Sequence, residues 1–185
     1  MWTAVVVTVL ATGTACLNIR TNAWVTGAFL FIEMAALALL SVLGLVHVER
    51  PITALFDPQA LDAATGNLAP LGIAGLVIAV TQGIFSFNGY GGAVYFAEET
   101  KNARRTIARA VLWSAVVTIL AEIIPLAAIL LGTSSLGGDL FSADLPVEAF
   151  LDERAGHAVT VFVFVSIALA IVNAIIAIAL QSGRL

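Results

Sequence analysis

Residues 84–110 hold the backbone positions and side chains best suited to chemistry in this sequence. An apolar run is interrupted there by Asn88 and by three glycines, Gly89, Gly91 and Gly92. Each glycine lowers helix stability by about 1 kcal/mol relative to alanine, so we expect an unwound segment. Free backbone N–H and C=O groups in such a segment can bind a polar solute inside a membrane. The alternative use of the glycines is close packing between helices.

Aromatic and polar side chains crowd the same break. Phe87 and Tyr90 flank it and are candidates for closing over a bound solute, although single aromatic residues also fill cores or face lipid. The predicted solute-binding segment consists of Ser86, Phe87, Asn88, Gly89, Tyr90, Gly91 and Gly92.

A charged segment follows the break directly. Glu98 and Glu99 come at the expected C-terminal end of a helix, where the helix dipole disfavours carboxylates and cations are needed nearby. The pattern predicts a gate or cytoplasmic charge network made of Glu98, Glu99, Lys101, Arg104, Arg105 and Arg109. The alternative is that the basic residues only orient the chain in the membrane.

Two polar residues lie inside other apolar segments. Inserting a carboxyl group such as that of Glu33 at mid-membrane depth costs about 2.5–3.5 kcal/mol, so such residues mark function by default. Glu33 is the candidate for proton coupling, and the alternative is a structural glutamate that hydrogen-bonds between helices. For Asn173 we expect a hydrogen bond between helices, with contact to a solute or coupling ion as the alternative.

Several function classes find no support. No Ser–His–Asp order, metal-ligand spacing or phosphate loop is visible in the sequence. We therefore expect neither an enzyme nor a bound cofactor or metal ion. No basic tract with interleaved aromatic residues occurs, which argues against a nucleic-acid partner.

The elements that must position these residues are membrane helices. The chain is 61% hydrophobic and 11% charged, against about 45–50% and 25% for soluble domains. Unbroken apolar length favours helices over barrel strands. We predict an all-α integral membrane protein, a single domain over residues 1–185, whose five transmembrane helices cover residues 2–17, 23–46, 71–97, 107–131 and 158–180.

The loops separate by charge. Six of the eight basic residues follow the first, third or fifth segment, which places the loop 98–106 and the C-terminus in the cytoplasm. The loops 47–70 and 132–157 are then outside, and we expect short surface helices over residues 58–64 and 147–155. This topology leaves the start of the first helix outside without a basic anchor, which suggests that earlier helices are missing.

The sequences FSFNGYGG and AEETKNARRTIARA resemble the sixth transmembrane helix and following loop of the amino acid–polyamine–organocation (APC) superfamily. Ala103 and Ala108 stand where that family usually has proline, which should soften the loop geometry. Glu33 matches a position in the family's fifth helix that often holds glutamate. The ending QSGRL is similar to the stretch after the eighth helix.

The resemblance implies that the chain covers helices four to eight of an inverted-repeat transporter fold with one of its two broken helices. It implies secondary active transport of amino acids or related amines, with possible proton coupling, by a multi-pass protein of the cell membrane. The partners would be the small-molecule substrate, the lipid bilayer and the remaining helices of a larger permease, and the chain alone would be incomplete and inactive. The alternative is a non-transporting membrane subunit or scaffold that packs on partner helices.

Overall fold

The computed structural model describes residues 2–16, 19–62, 68–87, 89–133 and 145–183. The described residues form six α-helices: α1 (Trp2–Ala15), α2 (Ile19–Val46), α3 (Ile73–Ser86), α4 (Ala103–Leu131), α5 (Pro146–Arg154) and α6 (His157–Ser182). Two 3-10 helices cover Ile52–Phe56 and Tyr90–Phe96.

Four segments within the described part of the chain are long and apolar enough to cross a membrane: Arg20–Val46, Ile73–Phe96, Ala103–Leu131 and His157–Ser182. Helix α1 is shorter. Its 14 residues span about 21 Å, less than the hydrocarbon core of about 30 Å. The prediction of an all-α integral membrane protein is confirmed. The predicted span limits and the single domain stay predictions.

The segment between α2 and α3 contains a small β-hairpin. Strand β1 (Gln59–Leu61) pairs antiparallel with β2 (Leu68–Pro70), with Ala60 opposite Ala69. The expectation of a surface helix over residues 58–64 is therefore wrong. Backbone hydrogen bonds to the second strand of the hairpin replace the local helical bonds there. The expected helix over residues 147–155 is confirmed as α5.

The chain divides into two compact units. Unit 1 comprises Met1–Ala36, Tyr90–Ser114 and Val161–Leu185, and unit 2 comprises Leu37–Gly89 and Ala115–Thr160. Three boundaries fall inside α2, α4 and α6, and the fourth falls at the glycine-rich break.

Unit 1 buries both apolar and polar side chains. Val163 and Ile176 of α6 are each 1% exposed. The buried Ser166 donates its hydroxyl to the Phe162 carbonyl, 2.8 Å away in the same helix, and the buried Asn22 donates to the Ala15 carbonyl at 3.3 Å. These bonds offset the cost of removing the polar groups from water.

Unit 2 holds a very close helix contact between α2 and α4. A β-carbon added to Gly44 would collide with the carbonyl oxygen of Ala128, and one added to Gly132 would lie 2.8 Å from the Gly44 carbonyl oxygen. Only glycine permits this approach, as at small-residue contacts between membrane helices. Next along the chain, α5 buries Phe150 and Leu151, which are 2% and 0% exposed.

A polar cluster closes the C-terminal end of α4, and we name it the α4 clamp: Glu49, Arg50, Leu131, Gly132 and Arg154. The Leu131 carbonyl accepts the backbone N–H groups of Glu49 (2.9 Å) and Arg50 (3.1 Å). Arg154 donates from Nη2 to the Gly132 carbonyl at 3.2 Å and to Glu49 Oε1 at 2.7 Å. The last carbonyls of a helix have no helical partner, and a cation there interacts favourably with the dipole. The clamp thus joins α2, α4 and α5 through one helix end.

We predict that Arg154→Gln lowers the free energy of unfolding of the chain by about 1 kcal/mol, because two partly exposed hydrogen bonds from a charged group are lost. Far-UV circular dichroism during a denaturing-detergent titration measures this. The double variant Glu49→Gln/Arg154→Gln should lose less free energy of unfolding than the sum of the losses in the two single variants. Arg50→Gln is the control, because Arg50 enters the clamp through its backbone. Strict additivity of Glu49→Gln and Arg154→Gln would contradict the pairing.

Candidate functional site

The predicted break is present, and its first half belongs to unit 2. Helix α3 ends at Ser86, and Phe87 leaves the helical conformation with φ −81° and ψ 6°. The Phe87 N–H bonds to the Phe85 carbonyl, and the Ser86 hydroxyl donates to the Gln82 carbonyl at 3.3 Å. Both hydrogen bonds are local, since each joins residues within four positions of one another. The C-terminal end of α3 carries the negative end of its helix dipole.

Gly89 sets the backbone direction in the break. Its φ is +100°, a value that residues with a β-carbon rarely adopt, and no atom lies within 4 Å of an added β-carbon. Glycine is needed here for its conformation and not for packing. The predicted binding residue Asn88 lies outside the described residues.

The second half of the break belongs to unit 1 and is a 3-10 helix, Tyr90–Phe96. Its tighter turns do not restore the α-helix, which resumes only at Ala103. A β-carbon added to Gly92 would lie 2.5 Å from the amide nitrogen of Gln181 in α6, whereas Gly91 has open space around it. Close packing, the alternative use of the glycines, therefore applies to Gly92 alone among the three.

The aromatic residues at the break differ in exposure. Phe87 is half-buried within unit 2, and Phe85 is 68% exposed. The side chain of Tyr90 lies outside the described part of the structure. The proposed gating roles of Phe87 and Tyr90 stay predictions.

Glu33 lies in α2 and is half-buried. No described residue hydrogen-bonds its carboxyl group. Two turns earlier on α2, the Thr26 carbonyl accepts a hydrogen bond from Asn173 Nδ2 of α6 at 3.4 Å. The hydrogen bond between helices expected for Asn173 is therefore present. The side-chain oxygen of Asn173, Oδ1, is buried without a partner among the described residues.

The charged segment follows the 3-10 helix as a turn. Asn102 adopts a left-handed φ of 55°, and its carbonyl accepts the N–H groups of Arg105 and Thr106, both at 3.1 Å. Helix α4 thus begins at Ala103. All six residues of the predicted charge network are exposed: Glu98, Glu99, Lys101, Arg104, Arg105 and Arg109. The gate itself stays a prediction.

The pairing of Glu49 with Arg154 was not predicted. The two residues are 105 positions apart, one in each of the two loops expected outside the membrane. No local spacing signals such a contact, because it depends on how α2, α4 and α5 pack. Within the described ranges, no three His, Cys, Asp or Glu side chains are grouped so that they could hold a metal ion.

Comparison with known proteins places this chain in a family. No curated protein and no solved structure matches the chain significantly. The family model described as "Amino acid permease" matches residues 1–184, almost the entire chain. That extent agrees with the resemblance carried by the break and its charged segment, and it identifies a multi-pass membrane transporter acting on amino acids. The chain belongs to the amino acid permease family.

Proposed function

We propose that this chain supplies one broken helix and its supporting helices to a secondary active transporter of amino acids or related amines. The observation that carries the proposal is the helix break at residues 86–90, in a chain that matches the permease family over residues 1–184. A helix that faces lipid on all sides cannot hold such a break, since unwound backbone in a membrane requires protein or water around it.

The break suits a zwitterionic solute. The carbonyl end of α3, near Ser86 and Phe87, favours the ammonium group of an amino acid or amine through the helix dipole. That the segment 86–92 also contacts the carboxylate rests on the family resemblance, in which unwound backbone contacts both charged ends of the substrate. Phe87 and Tyr90 would then contact or cover the side chain of the bound solute.

We also propose that the chain works as part of a larger permease. Helix α3 buries none of its residues within the described chain, although it leads into the proposed binding segment. Helix α6, in contrast, buries Thr160, Val163, Ser166 and Ile176. Further helices of a permease would cover α3 and supply the rest of the substrate site. In the cell membrane, the segment 98–106 would face the cytoplasm.

Purified chain reconstituted alone in liposomes should show no uptake of radiolabelled amino acids above protein-free liposomes. A permease encoded by the continuous reading frame that includes this chain should show uptake under the same gradients. Strong uptake by the chain alone would contradict incompleteness while supporting transport. Absence of uptake by the larger permease would contradict transport itself.

In that larger permease, Gly89→Ala should lower the initial uptake rate about tenfold, because the positive φ of Gly89 costs a residue with a β-carbon about 1–3 kcal/mol. Gly83→Ala in α3 is the matched control, because it lies six residues away, outside the solute-binding segment, with open space and no positive φ. Uptake is measured at equal surface expression. Equal losses of uptake in the two variants would show that the Gly89 conformation has no special role.

Glu33→Gln should abolish uptake driven by a pH gradient while leaving substrate exchange largely intact, because glutamine cannot release a proton. Glu122→Gln in α4 is the control, since Glu122 is also a half-buried carboxylate within a membrane segment. Uptake is followed at several external pH values. An unchanged pH dependence in Glu33→Gln would leave Glu33 as a structural residue.

A further inference from the structure

The start of α4 carries a concentrated and exposed positive charge. Arg104, Arg105 and Arg109 line an open depression of about 550 Å³, together with Asn102, Ala103 and Thr106. Lys101 precedes it and is also exposed. We name this surface the basic depression, defined by residues 102–106 and 109.

The arginines of this surface have no charge partner in the described structure. No hydrogen bond or ion pair to another described residue involves the side chains of Arg104, Arg105 or Arg109. Arg105 and Arg109 are four residues apart on one helix, an arrangement in which like charges repel each other. Their repulsion would be relieved by an external anion.

Nearby carboxylates do not neutralise the surface. Glu98 and Glu99 lie in the preceding turn, and neither lines the depression. Residues 98–109 contain four basic and two acidic side chains, which leaves a net charge of +2. The depression itself is lined by three cations and no anion, so its local charge is more positive than that of the segment.

The position of the basic depression restricts the molecules that it can contact. Helix α4 is a candidate membrane span that begins at Ala103, so the depression lies at the membrane surface on whichever side that end faces. Arg109 is about 9 Å further along the helix than Ala103, and a long arginine side chain at that depth extends toward the lipid headgroups. The apolar remainder of α4 keeps these cations at the level of the headgroups.

We propose that the basic depression binds the phosphate group of an anionic membrane lipid. Guanidinium groups bind phosphate oxygens through paired N–H donors, and clusters of basic residues beside a membrane helix attract anionic lipids. The amide N–H groups of the first turn of α4 add a smaller attraction of the same sign. This lipid site is separate from the proposed solute-binding segment at residues 86–92.

The test is native mass spectrometry of the full chain released from micelles that contain phosphatidylglycerol and phosphatidylcholine in equal amounts. The wild-type chain should retain phosphatidylglycerol preferentially. Because each cation near an anionic headgroup contributes about a fivefold preference, Arg104→Gln/Arg105→Gln/Arg109→Gln should lose at least tenfold of this selectivity. Raising the ionic strength before measurement should weaken retention. Micelles remove any effect of the arginines on membrane orientation.

Two further variants separate lipid binding from misfolding. Arg104→Lys/Arg105→Lys/Arg109→Lys keeps the charge and should retain most of the selectivity, with helix content checked by circular dichroism. Arg50→Gln, a single change in unit 2, should retain all of it. Equal selectivity in the wild-type chain and the glutamine variant would overturn the proposal. So would equal losses in the glutamine and lysine variants, or displacement of the lipid by millimolar inorganic phosphate, which would indicate a site for soluble phosphate.

Discussion

A single constraint governs this structure: within a bilayer, each backbone N–H and C=O group must be satisfied by protein or by enclosed water. Long helices meet it along their length but not at their ends, where four groups have no helical partner. The places where helices stop are therefore the informative positions in the chain. The C-terminal ends of α4 and α3 satisfy these backbone groups in different ways.

The end of α4 is closed by other parts of unit 2. Leu131 and Gly132 offer their carbonyls to the backbone of Glu49 and Arg50 and to the guanidinium of Arg154. The contact of Gly44 with Ala128 brings α2 close enough for this to happen. Such an end has its hydrogen bonds satisfied, which suits a supporting structure and not a binding site.

The end of α3 is different. The described residues close it with local bonds alone, from the Phe87 N–H and the Ser86 hydroxyl, and Gly89 then turns the chain through a conformation that other residues avoid. In the proposed function this irregularity has a purpose, because backbone groups outside a regular helix can bind a charged group of a solute. The basic depression at the start of α4 is a second irregular position, at the membrane surface and directed toward lipid instead of substrate.

Composition and apolar length determined the membrane class, the all-α architecture and the position of the break, because these depend on local propensity and on transfer from water. The glycines and charges of residues 84–110 also carried the family assignment. The hairpin at Gln59–Leu61, the Glu49–Arg154 pair and the separate uses of Gly89 and Gly92 were decided by tertiary structure. The Glu49–Arg154 pair and the Gly92 contact depend on which distant side chain lies nearby, and no spacing within one helix or loop contains that information. The hairpin and the Gly89 conformation are backbone geometries that the residue types permit but do not specify.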